Sequence, residues 1–249
     1  MLRLLCVTAH PDDEAGAFGG TLSKYAESGV ETYVLCLTAG TAASHRGASK
    51  TNEELAALRR LEFAESIRHL KVTCGEVLNY HDGALDRECF ADVVGTLVKK
   101  IREIKPQVVI TFGGEGAITA HPDHGMASAF ATMAFHWASH TNRYAEQLQN
   151  GLAPHQAQKL YYGTNDFMLP ERQPVSLPPA SALVEFGTEL LERKVQAFKK
   201  HATQAPLFEL FETNTRKRGN PHEERYLLVA KNTPGVIVRE SDLFAGVVE

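Results

Sequence analysis

Short apolar runs alternate with longer helical patterns through the first 145 residues, and this alternation limits the fold more than any other feature of the chain. Residues 2–8 (LRLLCVT), 31–38 (ETYVLCLT), 76–80 and 107–112 (QVVITF) read as strands, nearly continuous in apolar character, as strands covered on both faces are. Between them lie helical patterns at 15–28, 52–70, 90–104 and 127–139. In the first, Phe18, Leu22 and Tyr25 share a face and Gly29 marks the stop; in the second, Leu55, Leu58, Leu61 or Glu62, Ala64 and Ile67 fall near helical spacing. Strands separated by helices of this length form βαβ units. The expected class is therefore α/β: a Rossmann-like, mostly parallel sheet with helices on both faces.

Beyond residue 145 the rhythm weakens. Residues 160–164 and 225–230 read as further strands and 188–201 as a helix, while 169–180 (LPERQPVSLPPA) carries four prolines and reads as an irregular loop. No internal repeat or linker-like stretch interrupts the chain. The expectation is one domain over 1–249, with a βαβ core in 1–145 and a C-terminal third, 146–249, that completes or caps the sheet. A content of 43% hydrophobic and 22% charged residues suits a packed globular protein. With 26 Lys and Arg against 30 Asp and Glu, the formal net charge is −4, so nothing suggests a nucleic-acid partner or an anionic membrane surface. No apolar run approaches the roughly 20 residues of a membrane span, and the apolar stretch at 4–7 is shorter than a signal-peptide core. Four cysteines without a Cys-x-x-Cys pair do not form a disulfide framework, and Cys6 and Cys36 read as small buried residues inside strands. A cytoplasmic setting is expected.

The chemistry lies in a tripeptide that occurs twice, His10-Pro11-Asp12 within HPDDE and His121-Pro122-Asp123 within HPDH. The first follows the first strand and the second follows the fourth, and each leads into a helix. In an open parallel sheet ligands bind beyond the carboxyl ends of the strands, so two motifs far apart in sequence should converge on one rim. Asp and Pro at a helix start would explain part of each motif but not its histidines. His and Asp are donors to divalent metals, and a catalytic zinc site uses three protein ligands. Four outer groups, His10, Asp13, His121 and His124, exceed that need. A carboxylate left over beside an ion can accept a proton from water, and a histidine opposite can donate one.

This pair of motifs resembles the PIG-L/LmbE-like family of metal-dependent N-deacetylases. Two further stretches are similar to the family: Arg59-x-x-Glu62 on the second helix, and Lys194-x-x-Ala197-x-x-x-His201-x-x-Gln204, where Thr203 stands in place of the family's Ser. The resemblance implies that His10, Asp13 and His124 hold Zn2+, with Fe2+ able to satisfy the same donors. It also implies that Asp12 is the general base. His121, as an imidazolium, would stabilise the oxyanion and protonate the leaving amine, with Asp123 orienting it. The implied substrate is a small amino-sugar conjugate of the N-acetylglucosamine type, thiol-cofactor precursors included, and a homo-oligomer is compatible with the sequence. Arg59 would bind substrate by the same resemblance.

Other polar residues carry weaker expectations. Asp82, in a His-Asp-Gly turn after the third strand, lies on the correct rim to accept from sugar hydroxyls. His201 either orients groups near the pocket or ends a helix. Glu14 reads as a first-turn acid, Gly16, Gly19 and Gly20 as close-packing positions, and His136 and His140 as ordinary helix residues. The Arg216-Lys217-Arg218 run reads as a solvated loop. Two other functions compete: a metal hydrolase acting on another amide, an ester or a phosphoester, and a non-enzymatic ligand binder on a Rossmann-like sheet. Two-metal phosphoesterases need more carboxylates than this rim supplies, and a nucleotide cradle needs no histidines.

Overall fold

The computed structural model describes residues 1–116, 119–164, 176–217, 219–236 and 238–249. Most of the proline-rich loop and Arg218 lie outside the described residues.

Seven strands form one sheet in the order β3-β2-β1-β4-β5-β7-β6. The first five are β1 (Arg3–Thr8), β2 (Glu31–Thr38), β3 (Cys74–Tyr80), β4 (Val108–Phe112) and β5 (Lys159–Gly163), all parallel to one another. β1 is the centre. Its Leu4, Leu5 and Cys6 pair with β2 on one side and with β4 on the other, and all three are fully buried. Helices α1 (Asp13–Glu27) and α2 (Asn52–His69) cover one face; α3 (Phe90–Ile104) and α4 (Pro122–Trp137) pack together on the other. This is the expected α/β architecture, and Cys6 and Cys36 are buried apolar residues within it.

The C-terminal third completes the sheet. β7 (Glu223–Lys231) runs antiparallel between β5 and β6 (Ala182–Glu185), while α6 (Thr188–Phe198) packs on α1. Buried charge fastens this addition to the core. Glu224 on β7 accepts from the N–H groups of Gly20 and Thr21 on α1 at 2.9 and 2.8 Å, and from Lys194 Nζ on α6 at 2.6 Å.

Four local features differ from the sequence reading. α4 begins at Pro122, five residues earlier than its apolar pattern, because His121 serves as N-cap and Pro122 suits the first turn. The short α5 (Ala145–Gln149) and the strand β6 carried too little periodicity to be read. The segment holding Arg216 and Lys217 is not a solvated loop but α7 (Phe208–Lys217), whose Phe211 stacks on Phe198 at 3.8 Å between ring centroids. Arg216 pairs there with Glu192 and Glu212. Finally, α2 turns Leu61 to solvent and buries Leu55, Arg59, Glu62, Phe63 and Ser66, a largely polar face where an apolar one was expected.

Candidate metal centre

The strand order reverses between β1 and β4, and a sheet opens a crevice at such a point beyond its carboxyl ends. Both motifs sit there. HPDDE leaves β1 and starts α1, with Asp12 as N-cap and Asp13 and Glu14 in the first turn. HPDH starts α4, with His121 as N-cap and Asp123 and His124 in its first turn.

His10, Asp13 and His124 each direct a donor atom into a cluster within 4.8 Å. Their neighbours decide which atoms those are. Asp13 Oδ2 accepts from the N–H groups of Ala9 and His10 at 3.2 and 2.8 Å, leaving Oδ1 to face His124 Nε2 at 3.2 Å. His124 Nδ1 lies 3.1 Å from the Gly116 carbonyl, which can only accept, so the proton is on Nδ1 and the Nε2 lone pair is free. The ring is also fixed by stacking on Phe112, 4.1 Å away and tilted by 6°. His10 Nε2 lies 3.1 Å from Asp82 Oδ1 and 3.3 Å from Asp123 Oδ2, so these carboxylates hold its proton and turn Nδ1 toward Asp13. Two imidazole lone pairs and one carboxylate oxygen, each oriented by a second polar contact, fit a divalent ion of the zinc type. His10, His121 and Asp123 form a second cluster. It is the poorer cage, because Asp123 already accepts from the N–H groups of Gly83 and Leu85 at 2.7 and 3.2 Å.

Charge follows the same geometry. Burial pushes the Asp13 carboxyl up, but the interactions with His124 and His10 beside it prevail and hold it well below the usual range. Burial lowers His10, while its contacts with Asp123, Asp13 and Asp82 raise it well above an ordinary histidine.

Asp12 belongs to neither cluster. Its carboxyl is pushed up to about 6, chiefly by burial, with Arg59 opposing. Arg59 reaches in from α2: Nη2 lies 2.8 Å from Asp12 Oδ2 and donates to the Pro11 carbonyl, and Nη1 donates to the Gly40 carbonyl at 2.8 Å. Arg60, the other candidate on that helix, binds the backbone of β3 at Val77 and Leu78 instead.

The other expected site residues each meet partners within the protein. His121 is lowered by burial and by the charges of His10 and His124, and its Nδ1 accepts the Asp123 N–H at 3.2 Å. With Nδ1 turned to that amide, Nε2 is the ring atom left for other partners. Asp123 orients His121 through that amide, while its carboxylate serves His10. Asp82 is engaged within the protein: its oxygens meet His10 and the Ala42 N–H, the latter at 2.6 Å, and its side chain is 6% exposed. Arg59 is 3% exposed and pairs with Asp12. His201 is fully buried and meets Glu14, 2.7 Å away. His136 and His140 join neither cluster.

The sequence reading missed what lies behind Asp12. Glu14 is fully buried and accepts from the Asp12 N–H at 3.0 Å, from Ser66 at 2.5 Å and from His201. Glu62 accepts both the N–H and the hydroxyl of Thr203, at 2.7 and 2.6 Å, so the Thr fills the role its hydroxyl allows. Arg59, Glu62 and Ser66, three and four residues apart on one helix, were the available signal. Asp12, Asp13 and His124 line one cleft together with Phe198, Leu207, Leu210 and Phe211.

A strand-switch crevice with a His-Asp-His cage and a carboxylate beside it defines a metal-dependent hydrolase class. The chain belongs to the PIG-L family, described as GlcNAc-PI de-N-acetylase, whose model matches residues 5–135. It is 30% identical to a mycothiol S-conjugate amidase of Streptomyces coelicolor over 99% of this chain and 97% of that protein. It is 31% identical to a 1D-myo-inositol 2-acetamido-2-deoxy-alpha-D-glucopyranoside deacetylase of Mycobacteroides abscessus, over 98% of each. Among solved structures, N,N'-diacetylchitobiose deacetylase from Pyrococcus horikoshii superposes with a TM-score of 0.73 and 26% identity, covering 91% of this chain and 83% of that one.

Proposed function

We propose that this protein removes the N-acetyl group from an N-acetylglucosamine-type conjugate by metal-assisted hydrolysis, with Zn2+ as the ion. The observation that carries the reading is the convergence of His10, Asp13 and His124 beside Asp12, a carboxylate outside the cage. The named relatives, deacetylases and an amidase, supply the substrate class. Fe2+ suits the same donors.

Nδ1 of His10, Oδ1 of Asp13 and Nε2 of His124 would hold the ion, which supplies Lewis acidity for the amide carbonyl. Asp12 takes a proton from the attacking water. A carboxyl near 6 is ionised at neutral pH, yet basic enough to accept and return that proton. The water oxygen bonds to the carbonyl carbon, the C–N bond breaks, and Asp12 hands its proton to the leaving nitrogen, giving acetate and a free amine. The Nε2–H of His121 donates to the developing oxyanion. Arg59 keeps Asp12 aimed.

We read 1–249 as one domain, since a single sheet draws strands from both parts of the chain. No described helix is long and apolar enough to cross a membrane, and we place the reaction in the cytoplasm. The test is release of free amine from a panel of N-acetylglucosamine conjugates, before and after chelation and zinc repletion. Release that stops with chelator and returns with zinc supports the reading. Absence of release, with nucleotides raising the melting temperature irrespective of chelator, would replace it with the ligand-binder alternative.

A further inference from the structure

The peptide between Pro11 and Asp12 is held at both of its polar atoms by buried charged side chains. Arg59 Nη2 donates to its carbonyl, and its N–H donates to Glu14 Oε2 at 3.0 Å. The orientation of that peptide sets φ of Asp12, which at 114° lies where L-residues are strained, and the Asp12 side chain makes no cap hydrogen bond that would hold it there. Glu14 is fixed in turn through its other oxygen. Oε1 accepts from Ser66 Oγ on α2 at 2.5 Å and lies 2.7 Å from Nε2 of His201, just beyond α6. Glu14, Ser66 and His201 are all fully buried, so no water replaces a lost partner without cost. His201 has little freedom of its own. Its N–H donates to the Phe198 carbonyl at 3.0 Å, its carbonyl accepts from the Gln204 N–H at 2.8 Å, and Thr203, two residues on, is tied to Glu62 of α2.

We infer that His201 is a positioning residue for Asp12: acting through Glu14, it holds the Pro11–Asp12 peptide in the strained conformation that aims the Asp12 carboxylate. The inference rests on the reading of Asp12 as the proton acceptor and goes beyond it, because it makes the C-terminal third part of that acceptor's alignment. The route is short and unbroken, from His201 Nε2 to Glu14 Oε1 and from Glu14 Oε2 to the Asp12 N–H. Glu14 thus spends one oxygen on its two anchors and keeps the other for the strained peptide. A histidine that merely ended a helix would need no carboxylate partner on α1, and an acid that merely suited the dipole of α1 would stay in water. The two meet inside the protein from positions 187 residues apart. Among the described residues His201 belongs to neither donor cluster, so what it contributes to the site passes through Glu14.

Three variants of the zinc-loaded protein test this, with turnover and amide exchange read in parallel. His201→Phe keeps a ring and removes the donor, His201→Gln returns an N–H donor near the Nε2 position, and Ser66→Ala removes the other donor to Glu14 Oε1. In His201→Phe, kcat for amine release should fall about tenfold or more with KM and bound zinc near parental. The Asp12 N–H should exchange with deuterium about tenfold faster, while the Cys6 N–H in β1 keeps its parental rate. His201→Gln should bring both quantities back to within about threefold of the parent, and Ser66→Ala should move them in the same direction as His201→Phe. A histidine with a purely structural role would lower the melting temperature of His201→Phe and leave kcat and Asp12 exchange parental, which overturns the inference. A His201→Gln protein that melts like the parent yet stays as impaired as His201→Phe overturns it too. If His201→Phe does not melt cooperatively, Ser66→Ala decides, and parental kcat and exchange in that variant overturn the inference. The deacetylase reading is scored separately. A parent that releases no amine from N-acetylglucosamine conjugates removes that reading, and the exchange rates alone then decide whether His201 holds the Asp12 peptide; an active parent whose variants match it removes the positioning role alone.

Discussion

Arg59 grips Asp12 at two points: its Nη2 lies 2.8 Å from the carboxylate Oδ2 and also donates to the carbonyl of Pro11, the residue before. Asp12 sits at φ 114°, a left-handed conformation that L-residues avoid and that costs on the order of 1–3 kcal/mol unless neighbours enforce it. The guanidinium fork supplies that enforcement, and a lysine ammonium cannot hold both oxygens and the Gly40 carbonyl at once. Arg59→Lys should lower kcat by roughly 10²-fold, the scale of a 1 Å misplacement, with bound metal unchanged. Steady-state kinetics with metal analysis checks this. A rise confined to KM would return Arg59 to substrate binding.

Asp12→Asn should keep the metal and lose about 10²–10⁴-fold in turnover, the span of general-base contributions. It also has a stability signature in chelator. A carboxyl raised to about 6 from an ordinary value of 3.8 favours the protonated form in the folded state. Its contribution to stability is therefore full below pH 4 and is lost as pH rises through 6. Asn cannot ionise, so the stability of the variant relative to the parent should improve by roughly 3 kcal/mol between pH 4 and pH 7. Denaturant melts at both pH values measure it. A difference that does not change with pH would show that burial leaves Asp12 an ordinary acid.

Asp82 and Asp123 both orient His10, so their substitution should act on the ion rather than on the sugar. Asp82→Asn and Asp123→Asn are each expected to weaken metal binding about 10–100-fold, the usual effect of removing a carboxylate behind a histidine ligand. His10→Ala and His124→Ala should lose the ion outright. Competition against a chromophoric chelator ranks the four variants. At saturating zinc, Asp82→Asn should show a near-parental KM, and a large KM increase there would restore Asp82 as a substrate contact.

The sheet was legible because β1, β2 and β4 are buried on both faces and must be apolar throughout, and because HPDDE and HPDH mark the helix starts at the switch point. The residues that support the site were less legible, since they break the rules by which sequences are read. The inward face of α2 carries Arg59, Glu62 and Ser66, so its apolar spacing pointed to Leu58 and Leu61, and Leu61 is exposed. Glu14 reads in the sequence as a first-turn acid favoured by the helix dipole; only the packing of α2 and α6 against α1 reveals it as a buried acceptor for Ser66 and His201. Asp82 and Asp123 could not be assigned to His10 from spacing, because their partner lies more than 70 residues away in the chain. α7 is short, and its buried ring, Phe211, stacks on Phe198 from a different helix.

The glycines of α1 offer a last test, because the same substitution should have opposite signs one turn apart. A Cβ at Gly16 would meet Phe198 at 3.5 Å, an ordinary contact, and alanine is worth up to about 1 kcal/mol more than glycine inside a helix. Gly16→Ala should therefore stabilise the fold by several tenths of a kcal/mol or more. A Cβ at Gly20 would stand 2.2 Å from the Phe186 ring, which is itself packed with Leu190 and Leu191, so the ring must move against its cluster. Overpacking of this kind costs about 1–3 kcal/mol and outweighs the helix gain. Gly20→Ala should lower the melting temperature while Gly16→Ala raises it. Equal shifts for the two variants would mean that α1 does not approach β6 and α6 as closely as described.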